Sequence, residues 1–260
     1  MAANRLAHRL VALGVGPEVR VALWLEKSFR LPMAILATLK AGGAYLPLDR
    51  GAPPASVQQM LALSSARMLI VDDGLPVGLV LPEGCRPLVL AAEMDTLATL
   101  PSLRPAVAVQ GQQLAYGIFT SGTTGQPKLV GIEHRSAANL VAHAAEELFE
   151  PADLARVPFI DNVAFDSCVS QLFVTWSLGG TLLFHADLST VFKASAEVAP
   201  TAIGTVPSVL MVLLDEADIP ATLRVVGLGG EAIPAQLLER LGRQPKLKVF
   251  NDYGPTETTV

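Results

Sequence analysis

Short apolar runs rich in β-branched residues alternate with helix-like stretches along most of this chain. The runs that read as strands are Val19 to Leu25, Met68 to Val71, Leu114 to Phe119, Thr181 to Phe184, Thr201 to Val206, Leu223 to Leu228 and Leu247 to Phe250. The clearest helical patterns, each ended by glycine, are Ser28 to Ala41, Ser167 to Leu178 and Pro234 to Leu241. Strands that alternate with helices imply crossover connections, so the pattern predicts an α/β fold with largely parallel sheets flanked by helices.

Size and charge narrow the class of protein. The 260 residues suit one large domain or two modest ones, and 51% of them are apolar, which allows a substantial core. The net charge of −5 and the lack of a basic block argue against a nucleic-acid partner, because phosphate backbones are bound by clustered Lys and Arg. The segment Gly74 to Pro105 is richer in Pro and Gly and predicts a loop-rich connection.

No segment predicts a membrane span or a signal peptide. The longest uncharged stretches, Pro105 to Pro127 and Ser167 to Phe184, are interrupted by Ser, Thr, Gln and Gly, unlike a span of about 20 apolar residues. Cys85 and Cys168 lie far apart without metal-ligand spacing, so they predict buried thiols in a reduced, cytoplasmic setting. Ligand spacing is also missing among the four histidines. We expect a structural role for His134 and surface or packing roles for His8, His143 and His185.

The segment TSGTTGQPK, Thr120 to Lys128, lies between two strand-like runs. Its glycines let backbone N–H groups approach a ligand closely, its hydroxyls add donors and Lys128 adds a positive charge, which together suit a polyphosphate. It does not match the P-loop G-x-x-x-x-G-K-[ST], because Gly122 to Gly125 is too short and Leu129 follows the lysine. The alternative interpretation is a surface turn, since the same residue types favour turns.

This segment closely resembles the signature loop of adenylate-forming enzymes, the superfamily of acyl-CoA synthetases, luciferases and nonribosomal peptide synthetase adenylation domains. Four more motifs resemble that family in the same order: LKAGGAYLPLD (Leu39 to Asp49), AFDSCVSQLF (Ala164 to Phe173), LGGEAIP (Leu228 to Pro234) and NDYGPTETTV (Asn251 to Val260). The resemblance implies that residues 1–260 are part of the large N-terminal lobe of an amino-acid adenylation domain, with α/β subregions at approximately 1–105 and 106–260.

The resemblance implies a two-step reaction. A carboxylate attacks the α-phosphorus of Mg-ATP to give an aminoacyl-adenylate and pyrophosphate, and a phosphopantetheine thiol on a peptidyl carrier protein domain then accepts the aminoacyl group. The implied substrate is an amino acid, the implied cofactors are ATP and Mg²⁺, and a condensation domain would be a neighbour in a full synthetase. The protein's work in such a reaction is positioning and charge stabilisation of an in-line displacement.

The resemblance also assigns nucleotide-binding residues. The loop would close over the β- and γ-phosphates through Thr120, Ser121, Gly122, Thr123, Thr124, Gly125 and Lys128. Thr256 would contact the α-phosphate and Glu257 would ligate Mg²⁺, a hard cation that prefers oxygen, and with Lys128 they are the implied catalytic residues. The adenine would be framed by Gly229, Gly230, Glu231, Asn251 and Tyr253, with Asp252 and Gly254 as further nucleotide-binding residues.

Asp166 decides the substrate class. As a residue type in front of a helix it is an ordinary N-cap, whereas by resemblance its carboxylate pairs with the α-ammonium of an amino acid. The resemblance lines the side-chain pocket with Ser167, Ser170, Gly204, Gly227, Gly229, Asp252 and Val260. Three glycines imply a roomy cavity and Asp252 adds a second negative charge, so we expect a large, hydrogen-bonding or basic substrate side chain.

Two departures from the family's pattern stand out. Leu129 occupies a position where the family usually has glycine, which predicts a tighter backbone after Lys128. The ribose-binding Asp, the hinge and the small C-terminal lobe with its catalytic Lys would follow Val260, so we expect this fragment, with the small lobe absent, to be weakly active or inactive. The alternatives are an acyl-CoA or aryl-acid ligase, in which Asp166 only caps a helix, and a degenerate, non-catalytic fragment.

Overall fold

The computed structural model describes residues 1–121, 126–185 and 187–259. The chain divides into two compact units, Met1–Ala138 with Asn162–Phe165, and Asn139–Asp161 with Asp166–Val260. Residues 106–138, which the sequence-based division placed in the second subregion, therefore belong to the first unit, because two strands from that stretch complete its sheet.

The first unit is built around one sheet. Its elements are, in chain order, α1 (Ala2–Ala12), β1 (Arg20–Trp24), α2 (Arg30–Lys40), β2 (Ala44–Pro47), α3 (Pro54–Ser64), β3 (Met68–Val71), β4 (Arg86–Val89), α4 (Leu90–Thr99), β5 (Leu114–Ser121) and β6 (Pro127–Glu133). The strand order is β4-β3-β1-β2-β5-β6. Neighbouring strands are parallel except β5 and β6, which form an antiparallel hairpin.

Both faces of this sheet are covered, which explains why its central strands are continuous apolar runs. On one face, Val57 and Leu61 of α3 pack against Ala22 and Leu69. The alternate residues of β1 are also fully buried, and α1 packs against α2 and α4. The unit is therefore a layered α/β structure, as the alternation of strands and helices predicts.

The predicted loop-rich connection between Gly74 and Pro105 is wrong in its second half, which forms β4 and α4. β4 extends the sheet at its edge beside β3, and its first two residues are exposed. Proline is tolerated on such a strand because only one of its sides needs backbone hydrogen bonds. Pro87 is thus compatible with an edge strand, whereas Gly74, Gly78 and Gly84 lie in the irregular stretch before β4, where the predicted loop is present.

The second unit begins within α5 (His134–His143), which is followed by a π-helical turn at Ala144–Leu148. Its further elements are β7 (Arg156–Phe159), α6 (Ser167–Ser177), β8 (Thr181–Phe184), α7 (Leu188–Lys193), α8 (Ser195–Val198), β9 (Ala202–Thr205), α9 (Pro207–Glu216), β10 (Val225–Gly229), α10 (Ala235–Gly242), β11 (Lys248–Asp252) and a 3-10 turn at Thr256–Thr258.

The strands of the second unit form a parallel sheet of order β11-β10-β9 and a parallel pair of β7 and β8. The amino ends lie together, because the Thr201 amide donates to the Arg156 carbonyl and the Arg224 amide donates to the Thr201 carbonyl. One face of β9 and β10 packs against α7, α9 and α10. The other face, through Ala202 and Val225, packs against Val174 of α6.

The described part of the chain agrees with several sequence-based expectations. The strands predicted at Met68 to Val71 and Thr181 to Phe184 have those bounds, and the predicted helices at α2, α6 and α10 differ at their ends by two residues or fewer. Both cysteines are buried. None of the helices in the described residues combines the length and the hydropathy that crossing a bilayer requires.

Candidate functional site

Three glycines share one face of the β11-β10-β9 sheet. The register places Gly204 beside Gly227, and Gly229 beside Asp252. A side chain alternates between faces along a strand, so these glycines face the same way as Ala202 and Val225, toward α6. A Cβ built on Gly204 would have no heavy atom within 4 Å. The sheet surface at Gly204 is therefore open space, as the expectation of a roomy cavity requires.

Helix α6 directs polar residues toward the carboxyl end of the same face. Because α6 connects the parallel strands β7 and β8, it runs against their direction and its first turn lies at their carboxyl ends. Val174 packs against the sheet, and Ser170 and Asp166 precede it by one and two helical turns. Residues four apart share a helix face, so all three point to the same side of α6.

The carboxylate of Asp166 accepts a hydrogen bond of 2.5 Å from the Thr256 hydroxyl. Both residues are half-buried. Asp166 occupies the N-cap position of α6, yet its side chain makes no capping hydrogen bond. The interpretation of Asp166 as only a helix cap is therefore wrong, and two of the residues selected by the resemblance, 90 positions apart, are direct neighbours.

The two serines of the expected pocket have partners within the second unit. The Ser167 hydroxyl donates to Asp161 at 3.1 Å, and the Ser170 hydroxyl donates to the Ser167 carbonyl at 2.9 Å. Asp161 was not selected from the sequence, because no local pattern links it to a residue six positions later. It orients Ser167 at the first turn of α6.

The side chain of Asp252 lies over the glycine face. A Cβ built on Gly227 would lie 2.6 Å from Asp252 Oδ2, so only glycine leaves room for this carboxylate. Partial loss of solvent raises the pKa of the Asp252 carboxyl, while the residue as a whole remains exposed. A carboxylate that has lost solvent in this way gains more from a cationic or hydrogen-bonding ligand than an open one does.

The turn after β10 is held to the start of α9. The Glu231 carboxylate accepts hydrogen bonds from the amide of Ser208 at 3.1 Å and from its hydroxyl at 2.9 Å. Gly230 has φ +80, a conformation in which a side chain is strained. Glu231 therefore positions the Gly229–Gly230 turn through Ser208. Ser208 is not among the residues predicted from the sequence, although Pro207, at a helix start directly after a strand, marks this junction.

The other residues of the last motif lie at the end of β11 and beyond it. Asn251 and Asp252 end the strand, and Tyr253 is 94% exposed. Glu257 is exposed in the 3-10 turn, and Gly254 precedes that turn. Within the described residues no group of three His, Cys, Asp or Glu could hold a metal. A single carboxylate such as Glu257 still fits Mg²⁺, which usually takes one or two carboxylates together with substrate phosphates.

The two ends of the TSGTTGQPK segment, Thr120 and Lys128, lie in the first unit. Thr120 and Lys128 form a cross-strand pair in the β5–β6 hairpin, so their side chains lie side by side at the base of the loop. Lys128 is exposed and makes no ion pair with a described residue. Gly122, Thr123, Thr124, Gly125, the Ser121 side chain and Val260 lie outside the described residues.

Leu129 has a compensating partner across the hairpin. A Cβ on Gly117 would lie 2.8 Å from Leu129 Cδ1 and 2.7 Å from Leu46, so the leucine side chain uses the space that Gly117 leaves. The strand pairing continues through Leu129 without a shift in register. The unusual leucine is therefore accommodated by Gly117, which lies diagonally across the hairpin, two residues before its direct partner Phe119.

Comparison with known proteins gives a consistent result. The sequence profile of the AMP-binding enzyme family matches residues 1–260. Tyrocidine synthase 3 of Brevibacillus parabrevis is 39% identical over 99% of this chain, and the chain spans only 4% of that protein. The phosphinothricin tripeptide synthetase PhsB of Streptomyces viridochromogenes is 36% identical over 99% of this chain, which spans 22% of PhsB.

Solved structures also support membership of the AMP-binding enzyme family. The nonribosomal peptide synthetase FmoA3, with α-methyl-L-serine-AMP bound, superposes with a TM-score of 0.87 at 29% identity, over 99% of this chain and 30% of FmoA3. The N-terminal subdomain of Klebsiella oxytoca NpsA superposes with a TM-score of 0.80 at 22% identity, over 98% and 66% of the two chains, and supports the fold alone. The fold is thus that of the large N-terminal lobe of adenylate-forming enzymes, and the chain belongs to the AMP-binding enzyme family.

Proposed function

We propose that this chain provides amino-acid-binding and nucleotide-binding residues of an adenylation domain in a nonribosomal peptide synthetase. The reaction would join an amino acid carboxylate to the α-phosphate of ATP and release pyrophosphate, before transfer to the phosphopantetheine thiol of a carrier protein. The observation that supports this most is Asp166, a half-buried carboxylate that makes no capping hydrogen bond. It lies on the same side of α6 as Val174, which packs against the glycine-bearing face of the sheet.

Asp166 would bind the α-ammonium of the substrate. An ammonium group offers three N–H donors, which satisfies a carboxylate better than the single hydroxyl proton of Thr256 does. A carboxylic acid without the ammonium would leave Asp166 with a poorer partner. Breaking a buried ion pair costs about 3 kcal/mol or more, which corresponds to at least a hundredfold in affinity.

Open space over Gly204, together with Asp252, favours a large side chain that is basic or donates hydrogen bonds. Gly227 and Gly229 instead leave room for Asp252 itself, whose carboxylate gives the charge. Ser167, Ser170 and Val260 are further proposed lining residues. The proposal concerns the class of side chain and names no single amino acid.

The nucleotide roles rest on the family resemblance. Thr120 to Lys128 would bind the β- and γ-phosphates, and the turn at Gly229 to Glu231 with Asn251, Tyr253 and Gly254 would frame the base. Thr256 would donate to an α-phosphate oxygen. Glu257 would hold Mg²⁺, which neutralises phosphate charge when bound. In these roles the residues orient the phosphates and stabilise charge, and no described side chain acts as a nucleophile.

Calorimetric titration of this chain tests the proposal. Each of the twenty standard L-amino acids and Mg²⁺–α,β-methylene-ATP would be titrated into wild type, Asp166→Asn and the control Asp218→Asn, which changes an exposed carboxylate of the same unit. We expect Asp166→Asn to weaken amino-acid binding about a hundredfold without weakening nucleotide binding, and Asp218→Asn to change neither.

The alternatives give different results in that experiment. An acyl-CoA or aryl-acid ligase would bind plain carboxylic acids and keep their affinity in Asp166→Asn. A degenerate fragment would give no binding heat with any ligand. Strongest binding of a small aliphatic amino acid would contradict the proposed class of side chain.

A further inference from the structure

The Asp166–Thr256 hydrogen bond joins two residues that have different ligands in the proposed function. Asp166 would bind the ammonium of the amino acid, and Thr256 would bind the α-phosphate of the nucleotide. In the structure they bind each other, at 2.5 Å. Both belong to the second unit and both are half-buried, so the contact is within one compact unit.

The chemistry of the hydroxyl makes these contacts mutually exclusive. A threonine hydroxyl has one proton to donate, whereas a carboxylate and a phosphate oxygen are both acceptors. While Thr256 donates to Asp166 it cannot donate to a phosphate. An ammonium group can replace the hydroxyl at Asp166, since it brings its own N–H donors. The Thr256 hydroxyl can then donate its hydrogen bond to another acceptor.

We infer that the Asp166–Thr256 hydrogen bond couples the binding of the two substrates, so that an amino acid at Asp166 frees Thr256 and thereby tightens the binding of the nucleotide. This inference rests on the proposed function. By linkage the effect is reciprocal, and the nucleotide tightens the binding of the amino acid by the same factor. In this scheme the Thr256 hydroxyl donates to Asp166 in the free protein and to the α-phosphate when both ligands are bound.

The inference predicts that one variant, Thr256→Val, changes the affinities for the amino acid and for the nucleotide in opposite directions. Thr256→Val keeps the shape of the side chain but removes the hydroxyl, so the amino acid no longer has to displace a hydrogen bond. We expect the amino acid alone to bind about tenfold more tightly to Thr256→Val than to wild type, because a hydrogen bond to a charged group is worth about that factor. With the amino acid already bound, the nucleotide should bind more weakly to Thr256→Val than to wild type, because no hydroxyl is left to donate to its phosphate. The coupling between the two ligands should vanish.

Two variants are matched controls. Thr256→Ser keeps a hydroxyl at the same place and should retain the coupling that Thr256→Val loses. Thr258→Val removes a hydroxyl from the same 3-10 turn, where it donates to the Pro255 carbonyl at 2.8 Å and not to Asp166. It should leave the coupling unchanged, which separates the effect of the Asp166 contact from a general effect on the turn.

The test is a calorimetric binding cycle on this chain. The amino acid that binds best in the panel of twenty is titrated with and without saturating Mg²⁺–α,β-methylene-ATP, whose α–β linkage cannot be cleaved to pyrophosphate. We expect coupling of about tenfold in wild type, Thr256→Ser and Thr258→Val, and a factor near one in Thr256→Val. Thermal melting of each variant checks that it is folded.

The outcomes separate the inference from the proposed function. Coupling in Thr256→Val equal to that of wild type, or weaker binding of the amino acid alone in this variant, would overturn the inference and leave the proposed function standing. Binding of both ligands to wild type without coupling would overturn it as well. No binding of any amino acid to wild type would overturn the proposed function, and the inference with it.

Discussion

At the scale of single residues, the carboxylate of Asp153 organises the base of the second unit. It has no exposed surface, and it accepts hydrogen bonds from Lys248 Nζ at 2.6 Å, Arg224 Nε at 2.9 Å and the Glu150 amide at 3.0 Å. Burial alone would raise the pKa of Asp153, but these bonds and the charge of Lys248 outweigh it and lower the pKa. One side chain thus joins a loop to the amino ends of β10 and β11.

We predict that Asp153→Asn destabilises the chain by about 3 kcal/mol at pH 7, since two cations lose their buried partner. Because folding lowers the pKa of Asp153, its stabilising contribution is complete above the usual pKa of about 4 and is lost as pH falls through the lower folded value. Urea unfolding between pH 7 and pH 3 should show a flatter pH dependence in the variant.

Asp215→Asn is the matched control for Asp153→Asn. Asp215 pairs with Arg240 on the surface and is 69% exposed, so the change should shift the unfolding midpoint little. Equal destabilisation by the two substitutions would contradict the account of Asp153. Sequence reasoning could not select Asp153, because its cationic partners are 71 and 95 positions away and no local pattern encodes such pairing.

At the scale of elements, Gly179 and Gly180 end α6 and turn the chain into β8. The sequence predicts that α6 ends at these glycines, and the structure shows that glycine is needed at the two positions for different reasons. Gly179 has φ +74, where a side chain is strained. Gly180 has no such strain, yet a Cβ there would lie 1.9 Å from the carbonyl oxygen of Leu154, a backbone atom that cannot move aside easily.

We therefore predict a graded series of stabilities. Gly180→Ala should destabilise by about 3 kcal/mol, because the backbone of the neighbouring segment must shift, whereas Gly179→Ala should destabilise by about 1 kcal/mol. Gly242→Ala, at the last residue of α10 with open space around it, should be neutral or slightly stabilising. Urea midpoints measure the series, and a neutral Gly180→Ala would contradict it.

Local patterns predicted the elements whose periodicity is strong. β3, β8 and α6 were found because short β-branched runs and an amphipathic stripe with a glycine stop are local signals. β4 was missed because Pro87 is tolerated on an edge strand, and β4 owes its place to pairing with β3. The hydrogen bond of Asp166 could not be predicted from local sequence either, because its partner Thr256 is 90 positions away.

At the scale of the whole molecule, motifs that are far apart in sequence meet within the second unit. Residues 166, 204, 227, 252 and 256 come from α6, the glycine face of the sheet and the final turn. The order of five motifs predicted the family, which the profile over residues 1–260 establishes. The contacts inside the unit, above all the Asp166–Thr256 bond, required the structure, because they depend on parallel strand order.

The central claim is that Asp166 recognises an α-ammonium. The most direct test compares two ligands, a 5′-O-(aminoacyl)sulfamoyl-adenosine that carries the best-binding amino acid and its counterpart without the amine, on wild type and Asp166→Asn. The account predicts that wild type prefers the amine-bearing ligand about a hundredfold and that Asp166→Asn loses most of this preference. A preference that is the same in both proteins would contradict it.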